Sequence, residues 1–367
     1  MNSKTYRIWL RAVFVLLFSI ISCSVENEGT QSATVSKDNQ SSVRQLRLGH
    51  DMPIQSAQHI AALKFAERVR EKTKGQVQIK IFPNQELGTD QKMIEMARAG
   101  TLDIILPPTA KLSTLVPATQ IADLPFFFET REEIYSFLDG KPGKYLLNLL
   151  KPHGLIGATF WEGGFKQFTA NKAIHSPEDF AGLNIRSMKS ELIMDQFRLL
   201  RGNPIPIDFH KINQALKDGV IDAQENPLVS IANLKIYEQQ SHVILSDHAY
   251  LGHIFCFSKI SFEKLPDEIR EILFASAIEF TSFERQQALS HESKYLQEIK
   301  VSGTQVITLT PEEKNNFKII LKPLIEKYRH EIGTTIVEMG YQILEEKSEF
   351  SENEIIIGLD ADLNGGS

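Results

Sequence analysis

The sequence runs to 367 residues, room for two domains at roughly 100–200 residues each. Lys and Arg number 40 against 46 Asp and Glu, a formal net of −6, which argues against nucleic-acid binding because that normally needs a basic excess or stripe. At 42% hydrophobic and 23% charged, the composition excludes disordered and collagen-like chains, and two cysteines exclude a disulfide scaffold or a Cys-based zinc site.

Residues 1–22 carry Lys4, Arg7 and Arg11 and no acid, so their removal deepens the net charge to −9. The basic flank leads into the apolar run Ala12–Ile21, too short for a typical transmembrane helix of about 20 residues, and then into Ser22-Cys23. This pattern predicts a secretory signal over 1–22. Ile20-Ile21-Ser22-Cys23 resembles a bacterial lipobox, which makes Cys23 the expected lipidated first residue and predicts a membrane-tethered protein, periplasmic or at the cell surface. An uncleaved anchor and an ordinary signal peptide fit the same residues. Residues 23–44 are polar and lack aromatics, as a flexible tether does.

The body alternates strands and helices. Leu46–Gly49 predicts a strand, Ala57–Lys74 a helix stopped by Gly75, Val77–Ile81 a half-buried strand, Gln91–Ala99 a helix stopped by Gly100, and Ile104–Leu106 a buried strand. This order opens an α/β domain with a largely parallel sheet. Further strands are expected at Leu155–Phe160, Phe165–Ala170, Leu183–Ile185 and Asn203–Ile207, with helices at Ser190–Leu200 and His210–Lys217. Asp267–Lys300 lacks Gly and Pro and predicts one helix about 50 Å long, enough to cross two domains. Pro311–Lys347 reads as helical with breaks or kinks at Pro323, Gly333 and Gly340, followed by a polar tail over 348–367. Cys256, flanked by Phe255 and Phe257, reads as a buried small hydrophobe.

Motifs for covalent, nucleotide or metal chemistry fail. No G-x-S-x-G elbow, Walker loop or H-E-x-x-H occurs, and the ten histidines form no ligand pair at helical spacing. Asp360–Gly365 opens like a calcium loop, but the chain ends before the loop's twelfth position, which favours an acidic tail. No metal or cofactor is expected, and no enzyme.

Several segments carry a resemblance: Leu48–His50 (LGH), Phe82–Gly88 (FPNQELG), Gly100–Asp103 (GTLD), Asp123–Phe127 (DLPFF), Gly164–Asn171 (GFKQFTAN), Gly182–Ser187 (GLNIRS) and Asp222–Pro227 (DAQENP). In order and spacing they resemble the DctP-type solute-binding proteins of tripartite ATP-independent periplasmic (TRAP) transporters over about 45–345. The resemblance implies an α/β, two-lobed, periplasmic-binding-protein-like fold with an interlobe cleft and a long helix crossing both lobes. Lobe I would comprise 45–163 and 252–291, lobe II 164–251 and 292–347. It also implies a monomer that closes on a small organic acid, such as a C4-dicarboxylate, and delivers it to a TRAP permease. A carboxylate-sensing lipoprotein or a secreted enzyme are the alternatives.

Arg186 is the anchor implied by the resemblance, and its planar fork suits a carboxylate bidentately. An arginine in such a strand alternatively pairs with a surface acid. Lys166 stands where many relatives carry a second arginine, and is expected either on the ligand or as a solvated lysine. Asn226 aligns with a ligand-bonding polar residue, though a turn residue held by Pro227 is the alternative. Phe209 aligns with an aromatic that packs on the ligand, Trp161 is a candidate wall, and His50 and His248 are candidate donors; for each, an ordinary core role is the alternative. Pro108 replaces a glutamate of sialic-acid-binding relatives, which points to smaller acids.

Overall fold

The computed structural model describes residues 43–347. The expected signal, tether start, lipidation site Cys23 and C-terminal tail lie outside them. Alternation of apolar and polar residues lays down β1 (Arg44–Gly49) and β2 (Val77–Phe82) as parallel neighbours. Between them runs the helix Ala57–Lys72, whose Ser56 cap accepts a hydrogen bond from the His59 amide at 3.2 Å. The next strand, β3 (Ile104–Ile105), pairs parallel to β1.

β4 (Leu155–Ala170) is one strand of 16 residues where the sequence pattern gave two. Gly163-Gly164 breaks the alternation, and the pairing register shifts between Glu162 and Gly164, but the chain stays extended through the irregularity. The remaining strands are β5 (Asn184–Ser187), β6 (Asn203–Pro206), β7 (Ala223–Pro227), β8 (His242–Leu245), β9 (Tyr250–Ser258) and β10 (Gln305–Thr308). Their order is β2-β1-β3-β9-β4-β7-β5-β6, with β8 joining β4 to β10. The first part of β4 pairs with β9, while its last residues, Lys166–Ala170, pair with β7. β4 therefore carries the sheet from one half to the other.

The expected 34-residue helix is two helices, Asp267–Glu279 and Thr281–Val301, because Phe280 leaves helical geometry at φ −85°, ψ 0°. Its ring is held in the apolar cluster around Phe65 and Phe255, under the Arg68 guanidinium at 5.5 Å. The second of the two helices packs on β4, on the helix Ala57–Lys72 and on the helix Leu228–Asn233, so it still touches both halves of the sheet. Near the C-terminus, Pro323 and Gly333 separate helices as expected. Gly340 does not: helix 334–347 runs through it, and a Cβ there would meet the Phe127 ring at 2.6 Å. Cys256 is buried in β9 and burial pushes its thiol pKa up, consistent with an inert core role.

Candidate ligand-binding site

β5 lies between β6 and β7, parallel to both, and places Arg186 opposite Ile205 and Gln224. The side chain is 1% exposed. Its Nε donates to the Ile207 carbonyl at 2.9 Å, which fixes the plane of the guanidinium. Neither terminal nitrogen has a hydrogen-bond or ion-pair partner among the described residues. Burial lowers the Arg186 pKa to about 10, with Glu225, Asp208, Asp90 and Asp51 pulling the other way. A fixed, buried and unpaired fork is what a carboxylate needs.

Lys166 is equally buried but differently placed. Its Nζ donates to Asp123 Oδ1 at 2.7 Å and to Glu225 Oε1 at 3.1 Å. Burial opposes its charge, yet the two carboxylates outweigh that cost and raise its pKa. The other Glu225 oxygen accepts from His248 Nε2 at 2.7 Å and from Gln196 Nε2 at 3.0 Å. His248 Nδ1 in turn accepts from Ser246 Oγ at 2.7 Å, and the imidazole stacks on Phe168 at 3.8 Å. Burial lowers the His248 pKa although Glu225 raises it, while Lys166 and His248 hold Glu225 well below the usual carboxylate range. Lys166 and His248 thus belong to an internal network in which the ammonium is already paired with two carboxyl groups.

The other expected residues are dispersed. Asn226 donates to Gln224 Oε1 beside it on β7. Phe209 packs in the apolar cluster with Met52, Ile212 and Leu228. Trp161 lies in the other core cluster, edge-on to Phe255 at 5.1 Å, with its indole N–H unpartnered. His50 Nε2 meets His59 Nδ1 at 3.1 Å, and burial with neighbouring histidines lowers the His50 pKa to about 3.

Two segments face each other across a cleft of about 810 Å³: Gln91, Glu95, Lys111 and Thr114 on one side, Lys189 and Pro206–Asp208 on the other. Ile207, which holds Arg186, lines it, so the anchor stands immediately behind the cleft wall. Open α/β sheets bind ligands at such crevices beyond strand carboxyl ends.

The model of the bacterial extracellular solute-binding protein family 7, DctP, matches residues 48–331. The chain belongs to that family. It is 33% identical over 264 residues to the 2,3-diketo-L-gulonate-binding periplasmic protein YiaO of Escherichia coli, a match that spans 72% of this chain and 80% of that one. The structure of the sugar acid binding protein DctPAm from Advenella mimigardefordensis, in complex with galactonate, is similar with a TM-score of 0.81 at 30% identity, covering 83% of this chain and 99% of that one. A TRAP periplasmic solute-binding protein from Sulfurospirillum deleyianum with bound succinate gives 0.79 at 30% identity, covering 82% and 99%. Family 7 is a family of binding proteins, and this member has its two-lobed α/β fold.

Sequence reasoning missed the wall opposite Arg186 in this family 7 protein. Asp51, Asp90 and Asp208 act electrostatically on the guanidinium, and Lys111 shares those three acids. No motif marks them, because they are brought together from four separate loops and helix ends. Asp51 follows His50 in the first matched segment, which was the one available signal.

Proposed function

We propose that this chain captures a small organic acid, a C4-dicarboxylate or related carboxylate, by closing two lobes around it, and delivers it to a TRAP permease. The observation that carries this reading is Arg186: a buried guanidinium oriented through Nε, its two terminal nitrogens left for a bidentate carboxylate. Relatives that bind succinate, galactonate and 2,3-diketo-L-gulonate support it. Lobe I comprises 45–163 and 252–291, lobe II 164–251 and 292–347, and β4 at Gly163-Gly164 is the hinge through which ligand shifts the population towards a closed form. Cys23 is the lipid attachment site, which tethers the protein at the periplasmic or outer cell surface, where it works as a monomer.

The test is a thermal-shift and calorimetric screen against small organic acids. At least one carboxylate is expected to stabilise the protein. Arg186→Ala should weaken that acid by about 2–5 kcal/mol, because it removes one partner of a buried charge pair. Equal binding by wild type and Arg186→Ala overturns the assignment.

A further inference from the structure

We propose that the acid held by Arg186 is a polyhydroxylated monocarboxylate, and that His50, Asp51, Asp90, Thr109 and His253 form a subsite that hydrogen-bonds its hydroxyl groups. The inference rests on the reading of Arg186 as the carboxylate anchor.

Charge is the first argument. A dicarboxylate needs a second cation for its far end. Lys166 is matched by Asp123 and Glu225. Lys111 is half-buried and surrounded by Asp90, Asp208 and Asp51. Near the guanidinium, two cations (Arg186 and Lys111) face three carboxyls (Asp51, Asp90 and Asp208). The histidines add no charge at neutral pH, since burial lowers His50 to about 3 and His253 to about 4. Lys189 also lines the cleft but is exposed, so a second carboxylate would meet no buried cation without carboxyl groups already beside it.

Unpartnered polar atoms are the second argument. His50 Nδ1, Asp51 Oδ1, Asp90 Oδ1, Thr109 Oγ1 and both ring nitrogens of His253 are buried without a hydrogen-bond partner. A buried orphan costs about 1–3 kcal/mol, so a group this dense is explained by something that binds to it. Two of these atoms are close neighbours. His253 Nε2 stands 3.9 Å from Asp51 Oδ1, beyond direct bonding but within reach of one shared hydroxyl. Pro108, which precedes Thr109, bridges to His253, and Asp51 and Asp90 both act on Arg186. A neutral imidazole presents one donor and one acceptor, and so does a hydroxyl group. The wall is thus the complement of a neutral polyol chain attached to a single carboxylate.

Calorimetry on the purified protein with D-galactonate, D-glucuronate, succinate and hexanoate tests this. At least one of the two polyhydroxylated acids is expected to bind about a hundredfold or more tighter than both succinate and hexanoate, since a site built to bond hydroxyls rejects analogues lacking them. His253→Phe and Thr109→Val should reduce that preference, with unliganded melting curves separating lost contacts from misfolding. The wild-type ranking decides even if both variants unfold. Succinate binding as tightly as the sugar acids, or no sugar acid binding at millimolar concentration, overturns the proposal. If succinate prevails and Arg186→Ala abolishes its binding, the anchor stands and only this subsite falls. If Arg186→Ala binds like wild type, the anchor itself falls.

Discussion

Arg186 and Lys166 are both cationic, both 1% exposed and on the two strands that flank β7, yet their surroundings differ. What separates them is the second partner: Lys166 has two carboxylates in hydrogen-bond contact, whereas Arg186 has one carbonyl. The polar wall near Arg186 also makes a pH prediction. His50 and His253 have lowered pKa values, so each adds stability that is complete above about 6.5 and lost as pH falls towards about 3 and 4. Asp90, raised to about 6 by burial, and Asp51, raised by burial and by Asp90, act in reverse. Their contribution is complete below about 3.9 and lost as pH rises through the folded values. Between roughly pH 4.5 and 6 the two pairs offset each other. Asp90→Asn removes one acid, so the variant's stability relative to wild type should rise with pH by about 1.4 kcal/mol per unit across that window. Urea denaturation of both proteins at several pH values measures it, and parallel curves would refute the opposing titrations. Of this site, Arg186, Lys166 and His50 were legible in the sequence as residue types in matched segments. Whether a cation is free or already paired was not, because Asp123 and Glu225 reach Lys166 from 43 and 59 residues away.

At the scale of elements, β4 and the helix pair beside it show where local pattern stops being informative. Gly163-Gly164 reads as a strand end by propensity, but β9 continues to pair on either side of it. The irregularity is functional in our reading, since it lies where the sheet passes from one half to the other. Gly164 has φ +108°, a region that only glycine occupies without strain, while a Cβ on Gly163 would sit 2.8 Å from the Leu251 carbonyl oxygen. Gly164→Ala is therefore expected to cost about 1–3 kcal/mol, read as a lower denaturation midpoint; an unchanged midpoint would mean that the backbone relaxes there freely. The bend is also clamped from outside. Arg131 Nε donates to Glu162 at 2.7 Å and its Nη2 to both oxygens of Glu292 at 2.9 Å, tying the strand to the helix Thr281–Val301. That helix begins just after Phe280 without any Gly or Pro to announce it. The break follows from holding an aromatic ring in the core under Arg68, a demand made by packing and not by helix propensity.

For the whole molecule, the proposed cycle is closure around an acid. Saturating ligand should lower the radius of gyration of the wild-type protein in small-angle X-ray scattering and leave Arg186→Ala unchanged. A ligand that binds without compaction would place recognition in one lobe alone. In the proposed cycle the net charge of −6 does not bar an anionic ligand, because binding depends on one oriented guanidinium in a low-dielectric setting.

By itself the sequence determined the α/β alternation, the helix stops at Gly75, Gly100 and Gly333, and the family, because periodicity, capping and short ordered motifs are local along the chain. Tertiary structure alone decided that β4 is continuous, that the long helix breaks at Phe280, that Lys166 is matched and Arg186 is not, and that His50, Asp51, Asp90 and His253 are buried with polar atoms left unpartnered. Each of those depends on which distant residue arrives within a few ångströms. Burial sets both the cost and the use of a polar group, and burial is a property of the packed molecule.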